Sequence, residues 1–214
     1  DYISEMVRQE MVRRFGEEQA YTSGYKVYTT VLSKDQEAAQ NAVINNLISY
    51  DMRHGYRGGA PLWKKGETAW DDERITGFLK KLPDSTPFIP AAVTAIEKNG
   101  AKLMLASGET MSLTNNAMRW AGRANPVKVG EQIWIRKKDN GEWILGQIPA
   151  ANGALVSLNS DNGAIEAIVG GFSYEQSKFN RATQSLVQVG SSIKPFIYAA
   201  GLEKGLTLSS VLQD

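Results

Sequence analysis

Two Asp-Asn-Gly triplets, at residues 139–141 and 161–163, constrain the fold more than any other feature of the sequence. Asn and Gly tolerate the backbone angles of a tight reversal, so such a triplet between alternating apolar runs directs an antiparallel hairpin. The first joins Gln132–Arg136 to Trp143–Ile148, and the second joins Ala154–Leu158 to Ala164–Val169. Three more short alternating runs, Ala92–Ile96, Ala101–Leu105 and Thr110–Leu113, precede the first hairpin. Five short strands within about 65 residues predict a small antiparallel, OB-like β-barrel. The stretch PDSTPFIP, residues 83–90, marks the boundary ahead of it.

Upstream, the spacing of Ile3, Met6, Val7, Met11 and Phe15 predicts an amphipathic helix over residues 2–15, with Gly16 as its stop. Tyr25–Leu32 is rich in β-branched and aromatic residues and reads as a strand. Ser33 with Gln36 has the pattern of a capping box. It opens a helix carrying Ala38, Ala39, Ala42, Val43 and Leu47 that ends by His54-Gly55. Residues 55–70, punctuated by Gly and Pro, read as a loop. Downstream of the second hairpin, Gly170-Gly171 and a polar connection lead into a helix that begins within VGSSIKPFIYAA, residues 189–200. The fold class is α+β and multidomain: a helix and strand linker over 1–83, the barrel over 84–150, and the start of an α+β domain over 151–214.

Composition removes several classes of function. The 24 basic and 23 acidic residues leave a net charge of +1, and residues 84–150 hold 8 basic and 6 acidic groups. No one-sided basic field of the kind that nucleic acid or a membrane surface attracts is present. Trp120, Trp134 and Trp143 therefore read as core and rim of the barrel, not as a platform for stacking bases. With no cysteine, disulfides, thiolate chemistry and Cys-based metal sites are excluded. The single histidine, His54, sits in a predicted loop, which favours a surface role over a Ser-His-Asp triad and leaves only carboxylates for a metal. No apolar run reaches the roughly 18 residues of a membrane span, and no signal peptide opens the chain. The start at Asp1 without Met and the end at Asp214 both look like cuts in a longer protein.

Ser191 and Lys194 are the candidate catalytic residues. Among 16 Ser and 14 Lys, chance alone supplies roughly one Ser-x-x-Lys pair. A second pair, Ser23 and Lys26, serves as an internal control. Strand side chains alternate faces, which sets the control pair apart, whereas helix positions three apart share a face. Pro195 is tolerated only in a first helical turn, so the helix begins near Ser191 or Ser192 and both polar groups stand at its N-terminus. The unpaired N–H groups and positive dipole end there favour negative charge developing at Ser191 and oppose protonation of Lys194. The bland alternative is an ordinary Ser N-cap with a solvated lysine; the lysine's place at the wrong end of the dipole, among Ile193, Phe196 and Ile197, counts against it.

The segment running from ALVSLNSDNGAIEAIVGGF to KFNRATQSLVQVGSSIKPFIYAAG resembles the start of the transpeptidase domain of class A penicillin-binding proteins. Val169-Gly170-Gly171, Phe179-Asn180-Arg181-Ala182 and Ser191 to Pro195 stand in the family's order. VRQEMVRRFGEEQAYTSGYKVYTTV resembles the linker between glycosyltransferase and transpeptidase. FIPAAVTAIEKNGAKLMLASGETMSL with GEQIWIRKKDNGEWILGQIP resembles the small barrel of the 1a type of Gram-negative bacteria. The resemblance implies Ser191 as the acyl-ester nucleophile and Lys194 as its general base, with no cofactor and no metal. It implies stem peptides ending in D-Ala-D-Ala as substrate, β-lactam antibiotics as inhibitors, a regulatory protein on the barrel, and no nucleic acid. It also implies the periplasmic face of the inner membrane, with the anchor upstream of Asp1. The family's Ser-x-Asn and Lys-Thr-Gly motifs are not found in place: Ser160-Asp161-Asn162 precedes the nucleophile and reads as turn chemistry, and no Lys-Thr-Gly occurs. Two rival readings are a D,D-carboxypeptidase or β-lactamase, against which linker and barrel argue, and a non-catalytic interaction module built on the barrel.

Overall fold

In the computed structural model, which describes residues 1–64 and 66–211, the chain opens with α1 (Tyr2–Phe15) and a short α2 (Glu17–Thr22). It continues through α3 (Ser33–Arg53), β1 (Ala60–Pro61) and α4 (Asp72–Leu79). The five predicted barrel strands follow as β2 (Phe88–Glu97), β3 (Gly100–Leu105), β4 (Thr110–Thr114), β5 (Glu131–Lys137) and β6 (Trp143–Gly146). The second hairpin is β7 (Leu155–Leu158) and β8 (Ile165–Val169), and α5 (Lys194–Glu203) comes after a 3₁₀ turn at Gly190–Ile193. Among the described residues no helix is long and apolar enough to cross a membrane. The chain divides into two units, Asp1–Thr183 and a second beginning at Gln184.

The barrel sheet is antiparallel throughout, in the order β4-β3-β2-β5, with β6 and β1 sharing the outer edge of β5. Leu145 N–H donates to Ala117 C=O at 3.1 Å, drawing β6 toward the turn after β4. Side chains alternate across a strand. Ala91 and Val93 on β2, Leu103 on β3, and Ile133 and Ile135 on β5 therefore fill one interior with Leu113 and Leu145. At Gly141 the first triplet turns with φ 83°, closed by Lys138 N–H to Glu142 C=O at 2.8 Å. A side chain at that backbone angle is strained, which is why the triplet ends in Gly.

Ala92 and Met104 on the opposite face of β2 and β3 are covered by Ile75 and Leu79 of α4. Full burial of those two side chains stabilises the fold by about 3–6 kcal/mol relative to exposure. α4 has no counterpart among the sequence expectations, though its signals are present. Asp71 accepts the Arg74 N–H at 2.8 Å as an N-cap, and Asp72 and Glu73 supply an acidic first turn. Two turns are too short for a 3.6-residue period to stand out.

Two expectations are corrected. Residues 25–32 form no strand, because no partner backbone pairs along them; Tyr28 is 90% exposed, and Thr30 Oγ1 donates to Ile165 C=O at the edge of β8. The capping box does not form either. Leu32 is the N-cap of α3, without a side-chain bond, and Ser33 is already helical. Gln36 turns instead to β8: its Nε2 donates to Ile168 C=O at 2.8 Å and its Oε1 accepts the Ile168 N–H at 2.9 Å. The side-chain amide thus takes the place of a neighbouring strand, while Ala39 and Val43 of the same helix pack on Ala167 and Val169. Gln36→Leu keeps the bulk and leaves both Ile168 groups unpaired, an expected loss of about 1–3 kcal/mol. Ser33→Ala should cost little, and urea unfolding of both variants checks the order, which a capping box would reverse.

Candidate active site

The second unit opens as the position of Pro195 requires. Gly190, at φ 54°, starts the 3₁₀ turn, and Ser192 N–H donates to Val189 C=O at 3.2 Å. The Lys194 N–H donates to the Ser191 C=O, closing the turn between the two candidate residues. α5 then starts at Lys194 with Pro195 in its first turn. In a 3₁₀ turn, side chains three positions apart eclipse one another. Ser191 and Lys194 therefore project from the same side, more nearly in line than α-helical geometry alone provides. The helix begins at Lys194, not at Ser191 or Ser192, so the serine lies on the turn that feeds the helix N-terminus. Both side chains are exposed, as are Ile193, Phe196 and Ile197. This turn and helix supply spacing and dipole; they do not desolvate the lysine.

The control pair is separated by backbone. Ser23 caps the end of α2, with its N–H on Gln19 C=O at 3.1 Å, and Gly24 at φ 67° breaks the path to Lys26. The strand alternation expected of this segment does not apply, because no strand forms there. Ser23→Ala in the complete protein should leave penicillin labelling near wild type; a loss as deep as that of Ser191→Ala would contradict this assignment. Ser160-Asp161-Asn162 lies in the β7–β8 turn, where Asn159 Oδ1 accepts the Asp161 N–H at 3.0 Å and Asn162 Oδ1 accepts the Ala164 N–H at 2.9 Å. His54 caps α3 in an exposed position, its ring 4.2 Å from that of Tyr50. Trp120 donates Nε1–H to Met52 C=O at 3.0 Å, Trp134 packs with Ile48, Phe88 and Phe172, and Trp143 lies against the barrel core. Among the described residues no group of His, Asp or Glu is arranged to hold a metal.

The sequence names the Phe-Asn-Arg-Ala segment without a role for its side chains. Asn180 is buried: its Oδ1 accepts the Ala182 N–H at 3.0 Å, and its Nδ2 faces Met6 Sδ of α1 at 3.5 Å. Arg181 N–H donates to Gly170 C=O at 2.9 Å. Asn180 packs so closely on Gly170 that a β-carbon there would lie 3.0 Å from the Asn180 Cα. Gly170 thus admits the side chain and backbone of Asn180, and Gly171 admits the side chains of Tyr2, Arg181 and Asn152.

Two family models match the chain: the penicillin-binding protein OB-like domain over residues 56–151, and the penicillin-binding protein transpeptidase domain over residues 153–214. Penicillin-binding protein 1A of Haemophilus influenzae is 82% identical over 214 residues, covering all of this chain and 25% of that protein. The chain belongs to the penicillin-binding protein 1A family. Penicillin-binding protein 1A of Escherichia coli is 54% identical, again over the whole chain and 27% of its own length. A crystal structure of penicillin-binding protein 1A from Haemophilus influenzae superposes with a TM-score of 0.93, over 100% of this chain and 32% of that one. The chain spans about a quarter of the length of the curated 1A relatives it matches. The 1A architecture here is the OB-like domain followed by the start of the transpeptidase domain.

Proposed function

We propose that the chain is the central part of a serine D,D-transpeptidase, in which Ser191 is the acyl-ester nucleophile and Lys194 its general base. The observation that carries this reading is the 3₁₀ turn, which sets hydroxyl and amine on one side at the N-terminal end of α5. In the complete protein, Ser191 Oγ attacks the carbonyl of the penultimate D-Ala of a stem peptide as its proton passes to Lys194 Nζ. The tetrahedral intermediate collapses, the C–N bond breaks, and the terminal D-Ala leaves as an amine carrying that proton. The amine of a neighbouring stem peptide then attacks the ester, yields the cross-link and regenerates Ser191. The N–H groups at the start of α5 favour the negative charge that builds near Ser191 during both additions. A β-lactam presents the same carbonyl chemistry and acylates the same oxygen.

The reading extends to the complete protein as a membrane-anchored enzyme on the periplasmic face of the inner membrane, with a glycosyltransferase preceding Asp1. It divides the chain into a linker over 1–83, the barrel over 84–150 and the transpeptidase start over 151–214. β1 lies within the first of these and pairs with β5, so the linker lends the barrel an edge strand. A second reading keeps the barrel, which has its own core and covering helix, as an interaction module for a regulatory protein. Supplying the complete protein with a pentapeptide donor and an acceptor amine tests the reaction. Released D-alanine with cross-linked dimers is the expected result; free tetrapeptide alone would assign a carboxypeptidase instead.

A further inference from the structure

Between β8 and the Ser191 turn the chain runs 20 residues without a helix or strand, from Gly170 to Val189. What holds its first part is side-chain chemistry. The Tyr2 hydroxyl donates to Ser177 C=O at 2.8 Å, and its ring meets that of Tyr174 edge-on at 5.1 Å. Asn180 then joins three things at once: the Gly170 backbone after β8, Met6 on α1, and its own exit turn through the Ala182 N–H. The Thr183 N–H adds a bond to Asn180 C=O at 3.2 Å. Among the described residues, Asn180 is the last buried one before Ser191.

We propose that Asn180 is a positioning residue for acylation, a reading that rests on Ser191 being the nucleophile. Its Oδ1, by holding the Ala182 N–H, fixes the point and direction at which the chain leaves the first unit. An asparagine oxygen bonding the backbone N–H two residues on makes an Asx turn, which sets the direction of a chain that lacks ladder bonds. The seven residues from Gln184 to Gly190 reach at most about 25 Å when extended, so the freedom of Ser191 depends directly on how firmly their start is held. Gly170 belongs to the same device, because only a residue without a β-carbon lets Asn180 close down on the end of β8.

The test uses the complete protein and the acylation rate at saturating fluorescent penicillin, with far-UV circular dichroism to confirm folding. Asn180→Leu keeps the branched shape, with larger methyl groups, and loses the acceptor; it should acylate about 10- to 100-fold more slowly, the scale of a small misplacement remote from the chemistry. Asn180→Asp retains an acceptor for the Ala182 N–H and should stay within about threefold of wild type. Asn180→Ser, a weaker version of the same turn, should fall between them, and it carries the comparison with Asn180→Asp if Asn180→Leu does not fold. Gly170→Ala displaces Asn180 without altering it and should slow acylation as well. The apparent affinity for penicillin should change far less than the rate. Folded variants that all acylate within twofold of wild type, or an Asn180→Asp as slow as Asn180→Leu, would overturn the proposal. If instead wild type carries its adduct on a serine other than Ser191, the nucleophile assignment fails first, and the two failures are told apart by the mass of the labelled peptide.

Discussion

Ser191→Ala in the complete protein should abolish covalent labelling by a fluorescent penicillin while leaving the fold intact. Ser191 is exposed on its turn, so removing the hydroxyl creates no cavity and the loss is chemical. Lys194→Ala keeps the oxygen and removes the proton acceptor, an expected slowing of about 10²–10⁴-fold for a positioned general base. Lys194→Arg should fail nearly as badly, because a guanidinium stays protonated at any usable pH. Time courses of gel fluorescence separate the variants. A Lys194→Arg protein acylating at the normal rate would remove the lysine from the mechanism, leaving the turn as mere geometry.

Asp51→Ala should give the largest loss of stability among the polar side chains. Asp51 is buried in the last turn of α3, where the chain leaves for the barrel, and its carboxylate ties both crossings. Oδ1 accepts from Arg57 Nη1 at 2.7 Å on the outgoing crossing and from the Ala150 N–H at 3.1 Å on the returning one. Oδ2 accepts from Gln147 Nε2 at 2.6 Å, and Gln147 Oε1 in turn accepts the Arg57 N–H at 2.9 Å. Breaking a buried ion pair costs about 3–5 kcal/mol, but the Arg57 side chain is 46% exposed and rehydrates, which brings the expected loss to about 2–3 kcal/mol. Burial pushes the Asp51 carboxyl up, and the bonds from Arg57, Ala150 and Gln147 outweigh it, leaving the group below its ordinary value. A depressed folded-state value means that this stabilisation is fully present above the unfolded value, near 4, and is lost as pH falls through the folded one. Urea unfolding at pH 7 and pH 3 checks both points: Asp51→Asn should narrow the gap between the two pH values relative to wild type.

The barrel was legible because each of its signals is local. Alternation over five or six residues and a turn that demands Gly can be read without knowing what lies across the sheet. The helix start beside Pro195 was legible to within a turn for the same reason, since a helix start is a property of neighbouring residues; the 3₁₀ turn ahead of it was not. Gln36 was misread because its local pattern offers a capping box, while its bonds go 132 residues away to Ile168. Tyr25–Leu32 has strand composition and finds no paired backbone, and composition cannot report that. Asp51, with partners up to 99 residues distant, and Asn180, set against α1 and Gly170, are polar groups buried by tertiary contact. Nothing within a few positions of either announces that.

Peptide mapping by mass spectrometry after penicillin treatment of the complete protein tests the assignment of the nucleophile most directly. The expected result is one adduct, on the peptide that carries Ser191, absent from Ser191→Ala. An adduct on Ser23, Ser192 or any other serine, with Ser191 unmodified, would contradict it.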